Sequence, residues 1–295
     1  MSNDSIIFPN LNITLEHVGK TIDVFGFTIA YYGIIIAIGM IIGGSFILHE
    51  AKRLGCKEDD YLDLCIYTLI FGVIGARLYY VIFAWDYYKD DLLSIINIRQ
   101  GGLAIYGGIL VGILTIVVVC KIKNLDLLET IDMVAFGVLI GQIMGRWGNF
   151  FNREVFGQYS DGLLAMQLPR YSVRTQLDVT QAMLDNLVVI DGVEFISVHP
   201  TFLYESLWNL ALFALLFFLR KRKIFSGQLF FMYMIGYGVG RFIIEAVRTD
   251  QLKIGHTNIP VSMVVAAGMI TAGVLLCVLE YRKQVVKAKV PVDQK

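Results

Sequence analysis

Seven long apolar stretches punctuate the chain, at 24–47, 63–83, 103–119, 127–144, 201–219, 229–246 and 259–279. Each approaches the roughly 20 residues that a helix needs to cross a hydrocarbon core. A substantial polar segment, 145–200, separates the fourth stretch from the fifth. Its middle mixes polar residues with short β-branched runs such as 187–190, which predicts a small head with some strand, inserted over 158–197. The pattern therefore predicts an all-α polytopic membrane protein. It is read as one seven-helix domain, 1–295, with an extracytoplasmic head between helices four and five. The residues before the first stretch hold one basic side chain, Lys20, and no short apolar core with a cleavage site, so that stretch is read as a retained span.

Composition narrows the class further. Hydrophobic residues make up 56% of the chain and charged residues 17%, with a mean hydropathy of +0.65. Soluble domains carry about 25% charged residues, so a soluble enzyme, a disulfide scaffold and a disordered chain are excluded. The formal net charge of zero argues against a nucleic-acid partner. Lys and Arg are distributed unevenly: connections 49–60, 120–126 and 220–228 and the tail after 279 hold 14, against 9 on the other side. By the positive-inside rule the N terminus lies outside and the C terminus in the cytoplasm. Cys56, Cys65, Cys120 and Cys277 all map to the cytoplasmic half and read as small inert hydrophobes. A thiol reacting on the outer side would have to arrive with a substrate.

Several polar side chains fall where lipid is expected. They are Tyr32, Arg77, Tyr106, Arg146, His199, Glu205, Arg241 and Glu245, and the orientation puts all of them in the outer half of the membrane. Ionisable groups at such depth are costly and usually face a bundle interior or a cavity. Each has an ordinary structural explanation as well. Arg241 and Glu245, four apart, can neutralise one another; Arg77 can reach outward to the headgroups; His199-Pro200 suits a helix entry; Tyr32 fits an interfacial belt. Arg146 resists such an explanation best. It opens the run Arg146-Trp147-Gly148-Asn149-Phe150-Phe151-Asn152-Arg153-Glu154, flanked by Gly145 and Gly148. A guanidinium fork suits phosphate oxygens, and asparagines offer donors and acceptors together. Several arginines beneath the outer headgroups point to an anionic phospholipid.

The thirteen residues from Gly145 to Gly157 resemble the signature G-R-x-G-N-F-x-N-x-E-x-x-G of bacterial prolipoprotein diacylglyceryl transferases. Tyr32-Gly33, Gly75-Ala76-Arg77-Leu78, the run from His199 to Glu205, and Gly240-Arg241-Phe242 resemble the family in the same order. The resemblance implies a seven-span enzyme of the bacterial cytoplasmic membrane. Such enzymes move the diacylglyceryl group of phosphatidylglycerol to the lipobox cysteine of a secreted prolipoprotein, forming a thioether and releasing glycerol phosphate, without metal or organic cofactor. It implies that Arg146 binds phosphatidylglycerol and that Arg241 is its essential partner. On that basis Arg146, Arg241, Tyr106, Glu245 and His199 are the catalytic candidates. Arg146, Asn149, Asn152, Glu154, Tyr32 and Arg77 are the lipid-binding candidates, with Asn149, Asn152 and Glu154 holding the headgroup and orienting Arg146. Glu245 would orient Arg241 or accept the thiol proton. One departure stands out: many members carry His where Gly101-Gly102-Leu103-Ala104-Ile105-Tyr106-Gly107-Gly108 carries Tyr106. A tyrosine, with pKa about 10, is a poor base at neutral pH. A transporter for an anionic solute would use similar arginines, but no internal repeat is visible in the sequence.

Overall fold

The computed structural model describes residues 4–98, 101–255 and 257–289; Arg99 and Lys295, both counted in the charge asymmetry, lie outside them. In chain order the elements are β1 (Ile6–Phe8), β2 (Ile13–Leu15), β3 (Thr21–Val24), β4 (Phe27–Ala30), α1 (Tyr31–Arg53), α2 (Glu58–Phe83), α3 (Ile105–Lys123) and α4 (Leu127–Asn152). They continue with β5 (Met166–Pro169), the short α5 (Gln181–Asp185), β6 (Val188–Ile190), β7 (Val193–Val198), α6 (Thr201–Leu219), α7 (Gln228–Glu245) and α8 (Val261–Lys289). Among the described residues six helices, α1, α2, α3, α4, α6 and α8, are long and apolar enough to span a bilayer. The protein is therefore a polytopic membrane protein. The remaining expected span coincides with α7, whose 18 residues include Gln228, Arg241 and Glu245 and so fall short of that apolarity.

The chain divides into two compact units, one formed by Met1–Gly43 with Ala135–Lys295 and the other by Gly44–Val134. In the second unit α2 and α3 pack side by side. A side chain at Gly75 would put its Cβ 2.5 Å from that of Val111 and 2.8 Å from the Gly107 carbonyl, so this approach requires glycine. Glu58, Asp59 and Asp60 fill the first turn of α2, and Lys121 and Lys123 the last turn of α3, each complementing a helix dipole. Tyr61, Leu64, Ile116, Val119 and Met133 form the core there.

In the first unit an antiparallel sheet of order β2-β1-β5-β7-β6 covers the ends of α4 and α6. Ile6, Leu168, Ile196 and Val198 are fully buried and pack with Phe150 from the end of α4 and Phe202 from the start of α6. The β6–β7 hairpin closes on Asp191-Gly192, both at positive φ (53° and 80°), as a two-residue turn between twisted strands demands. Arg153, directly after α4, is 1% exposed and donates to the carbonyls of Asp4 and Val18, tying the N-terminal strands to the end of that helix.

Four expectations are corrected. The fold is not all-α, because a five-stranded sheet and the β3–β4 hairpin stand beside the helices. Nor is the sheet confined to 158–197: β1 and β2 from the N terminus complete it, pairing Ile7 with Gln167. The first helix begins at Tyr31 rather than 24, since 21–30 form a hairpin turning at Phe25-Gly26, both with positive φ. There Ile22 pairs with Ile29 and Val24 with Phe27, while Asp23 and Thr28 are hydrogen-bonded on the opposite face. A period of two lay hidden at the edge of a longer apolar run. Finally, α4 continues to Asn152, past the expected end of the fourth stretch at 144, so the signature opens as two further helical turns.

Candidate active site

Because α4 stays helical, Arg146 and Asn149 share one face at a spacing of three, and Arg146 Nη1 donates to Asn149 Oδ1 at 3.2 Å. The Asn149 amide donates onward to Glu154 Oε1 at 2.9 Å, and the Asn152 amide reaches the same oxygen at 3.1 Å. The other oxygen of Glu154 accepts from Arg174, in the segment between β5 and α5. Arg146 Nε in turn lies 3.2 Å from Glu205 Oε2, in the second turn of α6. Arg146 Nη2 makes no hydrogen bond to any described residue.

Glu205 is the hub. Only 3% exposed, it accepts from Arg241 Nη1 at 3.2 and 3.3 Å and from Arg248 Nη1 at 3.2 Å, besides facing Arg146. Arg241 Nη2 is 2.7 Å from Glu245 Oε2, one turn along α7. Arg248 also forks onto Asp250, with bonds of 2.9 and 2.7 Å. Burial opposes the charge on Arg248, but Asp250, Glu205 and Glu245 outweigh it and raise its pKa. Three guanidinium groups thus converge on one buried carboxylate, balanced by two more. Such charges persist in a poorly hydrated place only as a paired, hydrogen-bonded cluster.

Tyr32 lies against the signature. A Cβ at Gly148 would fall 2.5 Å from its ring, so the glycine leaves the room that the tyrosine fills. Gly157 is equally constrained, since a Cβ there would lie 2.7 Å from His199 Cβ and 2.8 Å from the Val247 carbonyl. His199 faces Tyr204, with Nδ1 3.2 Å from the hydroxyl, and burial lowers its pKa. Among the described residues it makes no hydrogen bond to the arginine cluster.

The family model for prolipoprotein diacylglyceryl transferase matches residues 20–279. The chain belongs to the prolipoprotein diacylglyceryl transferase family. It is 43% identical over 266 residues to the phosphatidylglycerol–prolipoprotein diacylglyceryl transferase of Finegoldia magna, an alignment covering 90% of this chain and 96% of that one. It is 41% identical over 254 residues to the enzyme of that name from Clostridioides difficile (85% and 92% covered), and 38% over 276 residues to that of Bacillus cytotoxicus (92% and 93%). As a member of this transferase family the chain is an enzyme.

Measured against the sequence expectations for such a transferase, the structure joins Arg146, Asn149, Asn152, Glu154, Arg241 and Glu245 in one network, with Tyr32 packed on its flank. Arg77 and Tyr106 belong to the other unit. There Arg77 donates to five backbone carbonyls, those of Ser94, Ile95, Asn97, Gly101 and Gly102, at 2.7–3.2 Å. That occupies all the donors a guanidinium has. Tyr106 stands in the first turn of α3, partly exposed. The catalytic and lipid-binding candidates named from the sequence did not include Glu205, Arg248 or Arg174. Glu205 already stood out as an ionisable residue in a span and within a quoted motif. Arg248, two turns beyond Arg241, carried a periodicity signal. Arg174, in a polar loop, carried none.

Proposed function

We propose that this chain transfers the sn-1,2-diacylglyceryl group of phosphatidylglycerol to the thiol of a lipobox cysteine in secreted prolipoproteins, the first step of lipoprotein maturation. The reading includes seven spans, α7 among them, in the bacterial cytoplasmic membrane, with the N terminus outside, the C terminus cytoplasmic and the sheet forming an extracytoplasmic head. The observation that carries it is the meeting of Arg146, Arg241 and Arg248 at Glu205. Sulfur attacks the glyceryl carbon bearing the phosphate ester; a C–S bond forms, the C–O bond breaks, and glycerol phosphate leaves with the bonding electrons. The leaving group needs positive charge around its oxygens more than a proton. Arg146 and Arg241 supply it, Arg146 through the donor that no described residue takes. At an effective dielectric near 20 a charge pair at 4 Å interacts by about 4 kcal/mol, against about 1 in water. Donors already in place stabilise developing charge without reorganisation. A free cysteine with pKa about 8.5 is a few per cent thiolate near neutrality, and nearby arginines raise that fraction. Tyr32, Asn149, Asn152 and Glu154 hold the headgroup and the orientation of Arg146, Glu245 holds Arg241, and His199 and Tyr106 are the remaining candidates for proton handling.

The test is transfer of labelled diacylglyceryl from phosphatidylglycerol vesicles to a lipobox peptide. Arg146→Ala and Arg241→Ala, purified and folded, are each expected to lose about a hundredfold or more. Near wild-type rates in both would remove the phosphate clamp.

A further inference from the structure

Glu154 divides its two carboxylate oxygens between two parts of the first unit. Oε1 accepts from Asn149 and Asn152 at the end of α4, and Oε2 accepts from Arg174 of the head. Since Asn149 Oδ1 accepts from Arg146 Nη1, an unbroken polar chain runs Arg174–Glu154–Asn149–Arg146. The segment carrying Arg174 is fixed at both ends. Val173 is buried in the core of the head, and the Arg174 N–H donates to the Arg153 carbonyl at 3.3 Å. Farther along, Asp178 has its pKa raised, chiefly by burial and then by the charge of Asp250, while Arg248 and Arg174 act against the rise. The head segment 174–178 thus borders both the signature and the residues after α7.

Taken alone, an exposed arginine on a carboxylate is a surface ion pair of small consequence. Glu154 is not a surface group, however: its side chain is 7% exposed against 69% for Arg174. A buried carboxylate deprived of its cation seeks another. The cation one asparagine away is Arg146. Removing Arg174 would set Glu154 competing for the guanidinium that has a donor to spare for a phosphate.

We propose that Arg174 is a positioning residue for the phosphate-binding arginine: by satisfying Glu154 it keeps Arg146 on Asn149 and open to the lipid headgroup. This rests on the reading of Arg146 as a headgroup ligand. The head is then part of the catalytic assembly as well as a cover over the helix ends.

The experiment compares Arg174→Ala, Arg174→Lys, Asn149→Ala, the double variant Arg174→Ala/Asn149→Ala and Arg146→Ala in the full-length protein, assayed with phosphatidylglycerol vesicles and a lipobox peptide. Arg174→Ala is expected to lose about tenfold in kcat/KM, the order set by one charge-assisted hydrogen bond. Arg174→Lys, which keeps a cationic donor on an exposed stem, recovers most of the loss. Because Arg174 acts through Asn149, the double variant is no worse than the poorer single one. Wild-type kcat/KM in Arg174→Ala, or losses that multiply in the double variant, would overturn the relay. If Arg146→Ala is inactive in that case, only the relay falls; if Arg146→Ala is also fully active, the headgroup reading falls with it.

Discussion

Arg146 of α4 and Arg241 of α7 approach the same carboxylate, Glu205 of α6, each with a nitrogen 3.2 Å from one of its oxygens. Three helices that share no local sequence signal are thereby joined at one charge. Glu205 neutralises guanidinium groups that would otherwise repel one another in a poorly hydrated place, and it sets the separation a phosphate would meet. With Arg248, Glu245 and Asp250 the cluster is charge-balanced before substrate arrives. A phosphate bound as proposed would exchange with carboxylate contacts or use the donor of Arg146 that none of them takes.

Glu205→Ala leaves three buried or half-buried cations without their common partner. Breaking a buried ion pair from one side costs about 3–5 kcal/mol. The expected result is a marked fall in the unfolding temperature in detergent, with Glu205→Gln falling less because it keeps an acceptor. An unchanged melting profile in Glu205→Ala would mean that the three arginines do not depend on this carboxylate.

Arg77→Ala frees five backbone carbonyls between Ser94 and Gly102. Limited proteolysis is the check: the 92–102 segment should become readily cleaved, while Arg77→Lys, which cannot reach five acceptors, gives partial protection. If digestion is unaltered and only KM for phosphatidylglycerol rises, Arg77 is a lipid ligand rather than the organiser of this loop.

Replacing Tyr106 by Phe and by His separates proton transfer from packing. Full activity in Tyr106→Phe excludes a proton-transfer role. A loss in Tyr106→Phe that Tyr106→His restores would assign that role to this position at the start of α3.

His199 is held below its ordinary pKa of 6.5 by burial. The unfolded chain then takes up the proton more readily than the folded one, so the stability linked to this residue is complete above about pH 6.5 and is lost as pH falls through the folded value. Chemical unfolding at pH 7.5 and at pH 5.5 should show the wild type losing more stability than His199→Asn. Equal losses in the two proteins would mean that His199 titrates normally.

The sequence disclosed the helices because lipid imposes a simple requirement: about 20 apolar residues per crossing, with every backbone polar group satisfied within the segment. The α6 boundaries, 201–219, are read off the hydropathy without error. The β3–β4 hairpin escaped because Ile22, Val24, Phe27 and Ile29 extend the first apolar run, and hydropathy averaged over that run conceals a period of two. β1 and β2 escaped because short strands gain their partners only from distant chain, here Gln167 of β5.

At the site, the chain by itself determined which groups are too polar for their surroundings. Arg146, Arg241 and Glu245 declared themselves by cost, and the signature around Arg146 declared its chemistry. Which carboxylate serves which arginine was decided only by the tertiary packing. Glu205 lies between helices, and Arg174 reaches Glu154 from the segment between β5 and α5. Pairing of buried charges depends on distances of a few ångströms between segments, and periodicity along one segment carries no record of them.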